Sequence, residues 1–138
     1  MEQGTQEQEQ AWVREHFQKA NRFMAEKGIL PGKVVLKESR ILPPLIAVWK
    51  IEAQGPRKQK YWVISGDLPT DMSAESAAKN ARDAVRYFSL NWQLKAENML
   101  RSADNTQHQL AQIMVSKANG LAQLHGEDRL WGEMAVVI

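Results

Sequence analysis

The segment that most limits what this chain can fold into lies between Leu45 and Gly66. Two runs rich in β-branched and aromatic residues, at 45–53 and 59–66, are separated only by Gln54, Gly55, Pro56, Arg57 and Lys58. Such residues fit a pleated, half-buried surface. A connection this short joins antiparallel neighbours, because a parallel crossover needs a dozen residues or more. The two runs are therefore expected to form an antiparallel hairpin. A third run at 33–40 has the same character and is set off from the next by Pro43 and Pro44, which cannot continue a central strand. The expected sheet is a three-stranded antiparallel meander. Period two places Leu45, Ala47, Trp49 and Ile51 on one face of the second strand and groups Trp62 with Ile64 in the third. That face is expected to carry the sheet's share of the core.

Helical periodicity takes over on both sides. Trp12, Val13, His16, Phe17, Ala20, Phe23 and Met24 recur at intervals of three and four and predict a helix over 6–27. Glu2, Glu7 and Glu9 suit the positive end of its dipole, and Gly28 with Pro31 stops it. Residues 1–8 are expected to form a flexible tail. Downstream, 68–79 is dense in Pro, Thr, Asp, Ser and Ala and reads as a loop with at most one helical turn. Asn80 then resembles an N-cap with Asp83 three positions later, and Ala81, Val85, Phe88, Trp92, Ala96 and Met99 predict a long helix to about Arg101. After a break at Ser102, Ala103, Asp104 and Asn105, the residues Leu110, Ile113, Met114, Lys117, Leu121 and Leu124 predict a third helix ending near Gly126. Leu130, Trp131, Met134, Val137 and Ile138 fit either a further helix or a terminal strand. The expected class is α+β: an N-terminal helix, the meander, then two to three C-terminal helices packed on one sheet face, with 9–138 as a single domain.

At 138 residues one core suffices, and 43% hydrophobic with 25% charged residues is ordinary for a globular chain. The 18 Lys and Arg nearly balance 16 Asp and Glu, so no global attraction to nucleic acid follows. No apolar run approaches the roughly 18 residues that span a bilayer, and the polar N-terminus MEQGTQEQEQ lacks the basic start and apolar stretch of a secretory signal. The absence of cysteine excludes disulfides, thiolate metal sites and cysteine nucleophiles, in keeping with a reducing compartment. A cytoplasmic protein without a membrane partner is expected.

The segment YWVISGDLPTD, 61–71, carries the densest chemistry: a strand runs into a loop holding Gly66, Asp67, Pro69, Thr70 and Asp71. Carboxylates and hydroxyls in such loops commonly cap backbone amides. The functional alternative is a ligand site formed by Asp67, Thr70 and Asp71 with Arg82 and Arg86 of the following helix as anion contacts. The spacing matches neither an EF-hand nor a phosphate-binding loop. His16, His108 and His125 show no metal spacing, and Ser65 lacks the GxSxG elbow, so no catalytic residue, metal or cofactor is expected. Five tryptophans read as core rather than as an aromatic cage. Arg57, Lys58 and Lys60 beside Tyr61 and Trp62 form the one local basic cluster, read as a solvated hairpin tip rather than a nucleic-acid surface.

WVISGDLPTD, followed by RDAVRYFSLNWQL, resembles the core of a small proteobacterial family of uncharacterised proteins, a domain of unknown function, over about 49–100. The resemblance implies a compact α+β domain of bacterial origin and brings no activity or site residues with it. By elimination, the reading of the residues favours a non-catalytic interaction or regulatory protein over an enzyme or small-ligand binder using the 66–71 loop, and over weak nucleic-acid binding. The number of apolar helix stripes exceeds what one small sheet can cover. A homodimer is therefore expected, with Leu130, Trp131, Met134, Val137 and Ile138 as surplus surface.

Overall fold

The computed structural model describes residues 2–132, with side chains from Thr5 onward. Helix α1 spans Glu2–Glu26 and starts earlier than the expected Gln6. Five strands follow: β1 Pro31–Val34, β2 Arg40–Leu42, β3 Ile46–Ala53, β4 Lys60–Gly66 and β5 Asp71–Ala74. Helices α2, Ala81–Leu100, and α3, Asn105–His125, complete the set, with 3-10 turns at Leu36–Glu38, Glu75–Ala77 and Asp128–Leu130. The class is α+β, and every strand pairing is antiparallel. The sheet order is β1-β3-β4-β5, with β2 also against β3.

Five strands rather than three is a correction with two causes. The expected strand at 33–40 is broken by the turn Leu36–Glu38, so β1 pairs with the far half of β3, Val34 opposite Ile51, and β2 with the near half, Arg40 opposite Val48. Polar groups around the turn take over the ladder where it leaves the sheet. Ser39 Oγ accepts from Lys50 N at 2.9 Å and donates to Val35 O, while Val35 N donates to Lys50 O at 2.7 Å. The second cause is β5, which lies inside the expected loop 68–79 and sets Asp71 opposite Ile64 and Ala74 opposite Tyr61. Its sequence DMSA is poor in strand-forming residues, as a short edge strand permits.

The β3–β4 hairpin also corrects the expected single core face. Trp49 lies opposite Val63 and Lys50 opposite Trp62, which puts the two tryptophans on opposite faces. One face carries Ala47, Trp49, Ile51 and Val63, which pack with Ala20 and Met24 of α1 and with Ile41. The other carries Ile46, Val48, Lys50, Trp62 and Ile64, all of them buried as well. Leu45, assigned to the Trp49 face, precedes β3 and is 46% exposed.

The chain divides into two compact units, one running to Ala81 and the other Arg82–Gly132. The first contains α1 and the sheet. In the second, α2 and α3 approach closely at small residues, where Ser89 Oγ donates to Ala118 O at 2.8 Å. Asp104 caps α3, its carboxylate accepting from Thr106 N at 2.8 Å. Leu130 closes the last 3-10 turn, and Trp131 Nε1 donates to Leu124 O at 2.9 Å. Met134, Val137 and Ile138 lie outside the described residues. No helix of the described residues is long and apolar enough to cross a membrane.

Candidate functional site

Gly66 ends β4 directly opposite Ile46, with φ +138°, and a Cβ there would stand 2.6 Å from Leu45 O. Only glycine fits, and Asp67 N then donates to that same Leu45 O at 3.1 Å. The tight exit leaves Asp67 exposed, with Thr70 and Asp71 half-buried. Asp71 opens β5, its carboxylate accepting from Met72 N at 2.8 Å, the capping role that turn chemistry favours. Asp67, Thr70 and Asp71 thus belong to the first unit. Arg82 and Arg86 begin α2 in the second. Arg82 is committed there: Nε donates to His125 O at 2.9 Å, Nη2 meets the Asp128 carboxylate at 2.7 Å, and the guanidinium lies 6.0 Å from the Trp131 ring. Arg86 is exposed.

Where α1 passes the 66–71 loop there is a shallow groove of about 240 Å³, lined by Lys19, Arg22, Phe23 and Glu26 of the helix and by Thr70. Lys27 covers part of the Phe23 ring, its ammonium 5.2 Å from the centroid. One turn before Lys19 sits His16, buried, with its ring 4.3 Å from that of Trp12 and Nδ1 without a hydrogen-bond partner. Burial lowers its pKa and Lys19 adds to the shift, against Glu15 and Asp67, which raise it. Below it, Trp49 Nε1 donates to Ser65 Oγ at 2.9 Å and Ser65 Oγ donates to His16 O at 3.0 Å. The hydroxyl of Ser65 is occupied in both directions, as hydrogen-bond acceptor and as donor.

A second constellation escaped the sequence reading. Lys50, mid-strand in β3, is buried, and its ammonium lies 2.7 Å from the Glu75 carboxylate, 2.9 Å from that of Glu38 and 5.1 Å from the Trp62 ring centroid. Burial alone would lower its pKa. Hydrogen bonds and charge from Glu75 and Glu38 outweigh that and hold it above the ordinary lysine value. The Glu75 carboxyl is lowered by its hydrogen bond to Lys50, against desolvation, with Lys50 and Lys60 charges adding. A firmly protonated amine is not a nucleophile, so this cluster positions structure. Trp62 Nε1 completes it by donating to Ala78 O at 3.1 Å and Glu75 O at 3.3 Å. The only sequence signal was a lysine inside the apolar run IAVWKI, and its partners lie 12 and 25 positions away.

The basic hairpin tip is dispersed by the strand register. Arg57 and Lys58 are exposed in the turn, Lys60 lies opposite Glu52, and Trp62 is fully buried. Among the described residues no three His, Asp or Glu side chains gather as a metal site requires.

Large apolar side chains stand in solvent in both units: Leu30, Leu36 and Leu45 in the first, and residues on both helices of the second. Leu90 and Leu94 on α2 are 49% and 61% exposed, and Leu110 and Ile113 on α3 are 45% and 52% exposed. Each pair is spaced so that its members are neighbours on one helix face.

The chain matches the family described as a domain of unknown function, DUF4826, over residues 6–131. No curated protein and no solved structure matches it.

Proposed function

The chain belongs to this family of unknown function, and from its geometry we propose that it is a non-catalytic binding protein that engages a protein partner through the α2–α3 hairpin. The observation that carries the reading is the pair of apolar patches, Leu90 with Leu94 and Leu110 with Ile113, each side chain 45–61% exposed, on the smaller unit. Covering a leucine fully is worth roughly 1.5–3 kcal/mol, and apolar side chains grouped on a helix face mark contact surfaces more often than single exposed ones do. The polar groups nominated for chemistry support the same reading, because Ser65, Asp71 and Arg82 each hold their own fold together.

The test is site-specific photo-crosslinking in the native host, from probes beside each patch. Discrete adducts that disappear in Leu90→Ser/Leu94→Ser or Leu110→Ser/Ile113→Ser variants, with unchanged circular dichroism, are expected. Adducts that survive both double variants would refute it.

A second reading rests on the groove at Thr70. Lys19 and Arg22, three residues apart on α1, stand with the Thr70 hydroxyl around one space, a set suited to a small carboxylate or phosphate, with Glu26 limiting the net charge. Phosphate titration followed through the Thr70 amide resonance, in the wild type and in Lys19→Ala/Arg22→Ala, tests it. Nucleic acid is disfavoured by the burial of Trp62, which removes the stacking platform beside Arg57 and Lys58.

A further inference from the structure

Along the outer face of α2, Asp83, Tyr87, Leu90, Leu94, Glu97 and Arg101 follow one another at spacings of four, three, four, three and four. This is the seam pattern of a coiled coil. It lies away from the buried stripe Val85, Phe88, Trp92 and Ala96 of the same helix. Leu90, Leu94, Glu97 and Arg101 are exposed, Asp83 and Tyr87 half-buried, and Arg101 stands in the turn that follows α2. From Asp83 to Arg101 the stripe is about 27 Å long at 1.5 Å per residue.

We infer that this stripe pairs antiparallel with the same stripe of a second copy of the chain. The inference rests on the reading that the hairpin is a binding surface, and it names the occupant of the α2 half. The stripe is complementary to its own reverse. With a twofold axis at the level of Trp92, Leu90 meets Leu94 of the second copy, Tyr87 meets Glu97, and Asp83 meets Arg101. Apolar side chains face each other at the centre. Next to them a phenol donor faces a carboxylate, and at each end a carboxylate faces a guanidinium. Twofold symmetry makes every pair occur twice, as an isologous contact requires. The parallel alternative sets Asp83 on Asp83, Glu97 on Glu97 and Arg101 on Arg101, so like charges exclude it. A foreign partner would have to present the order basic, acidic, leucine, leucine, tyrosine, acidic. The chain supplies that order itself, read backwards. One helix pair is a small interface, so the dimer is weak and exchanging.

Sedimentation equilibrium on the full chain, up to roughly 100 μM, would populate a dimer of micromolar dissociation constant. The expected result is a dimer that Leu94→Glu weakens at least about tenfold, while Ile113→Glu, a change at an exposed position on α3, leaves it intact. Arg101→Asp weakens association, and adding Asp83→Arg restores it. Because the chain has no cysteine, Leu90→Cys/Leu94→Cys is a second test that does not depend on those charges. In the antiparallel register it oxidises to a covalent dimer, whereas Leu94→Cys alone does not, since the two copies of position 94 are offset along the helix beyond disulfide reach. A monomer throughout the range, equal sensitivity to Leu94→Glu and Ile113→Glu, or crosslinking of the single cysteine as readily as the pair would overturn the inference. A monomer that still gives partner adducts in the crosslinking experiment would leave the binding-protein reading standing.

Discussion

Replacing Ser65 by alanine tests whether the most interior polar group of the first unit holds the fold. Ser65 is fully buried, accepts from Trp49 Nε1 at 2.9 Å and donates to His16 O at 3.0 Å. In the variant the indole N–H of Trp49, itself 1% exposed, has no partner and no water, and an orphaned buried donor costs about 1–3 kcal/mol. His16 O is an interior α-helix carbonyl and keeps its bond within the helix, so its loss is the smaller part, about 0.5–1 kcal/mol. The sum, about 1.5–4 kcal/mol, corresponds to a fall in Tm of roughly 4–20 °C for a chain of this size. Urea unfolding followed by tryptophan fluorescence and far-ultraviolet circular dichroism measures it. Trp49→Phe/Ser65→Ala removes the donor with the acceptor, so the double variant should lose clearly less than the sum of the singles. A loss below about 0.5 kcal/mol for Ser65→Ala would refute the reasoning.

Lys50→Met keeps the stem against Trp62 and leaves Glu38 and Glu75 without their cation. Because both carboxylates are nearly half exposed and can rehydrate, the expected loss is about 1–2 kcal/mol at neutral pH, below that of a fully buried pair. The ammonium, raised in the fold, contributes stability that is complete below the ordinary lysine pKa and is lost as pH rises through its folded value. The Glu75 carboxyl, lowered in the fold, contributes above its ordinary pKa and loses that contribution as pH falls through its folded value. Urea midpoints across the pH range should therefore be flatter at both ends in Lys50→Met. His16 is lowered below 6.5, so the unfolded chain binds the proton first and stability declines as pH falls from 6.5 toward the folded value. His16→Phe should abolish that decline, and an unchanged acid limb would count against a buried neutral imidazole. Gly66→Ala, with φ +138° and a Cβ 2.6 Å from Leu45 O, should cost more than about 3 kcal/mol and show as a low yield of folded protein.

The long-period features were legible from residues alone. The stripe from Trp12 to Met24 and the stripe from Ala81 to Met99 each marked a real helix, because a helix face repeats its apolar signal over several turns. The hairpin 45–66 was legible from its short connection. What stayed hidden was short or depended on register. The break of β1 from β2 is set by Ser39 and Val35 exchanging hydrogen bonds with Lys50, a nonlocal arrangement. The assignment of Trp62 to the Trp49 face failed because both faces of β3 and β4 are buried, and an apolar run carries no alternation to fix the phase. Of the nominated site, Gly66 was legible as a special backbone position, and Asp71 as a cap of a neighbouring amide. The partners of Arg82, at His125 and Asp128, lie too far along the chain for any spacing to announce them.

The two units use their side chains differently, and that difference bears on function. In the first, polar groups are directed inward to join elements distant in sequence: one ammonium, Lys50, connects the turn Leu36–Glu38 to the turn Glu75–Ala77, and one hydroxyl, Ser65, connects β3 to α1. A buried ion pair of this sort adds little net stability over a well-packed apolar substitute. Its effect here is positional, since the same ammonium sets the place of both turns relative to β3. In the second unit small buried residues such as Ser89, Ala111 and Ala118 sit beside larger ones, Phe88, Trp92 and Leu121, while Leu90, Leu94, Leu110 and Ile113 face outward in helical order. On α2 the exposed leucines lie on the same stripe as Asp83, Glu97 and Arg101, whose order makes that surface complementary to itself.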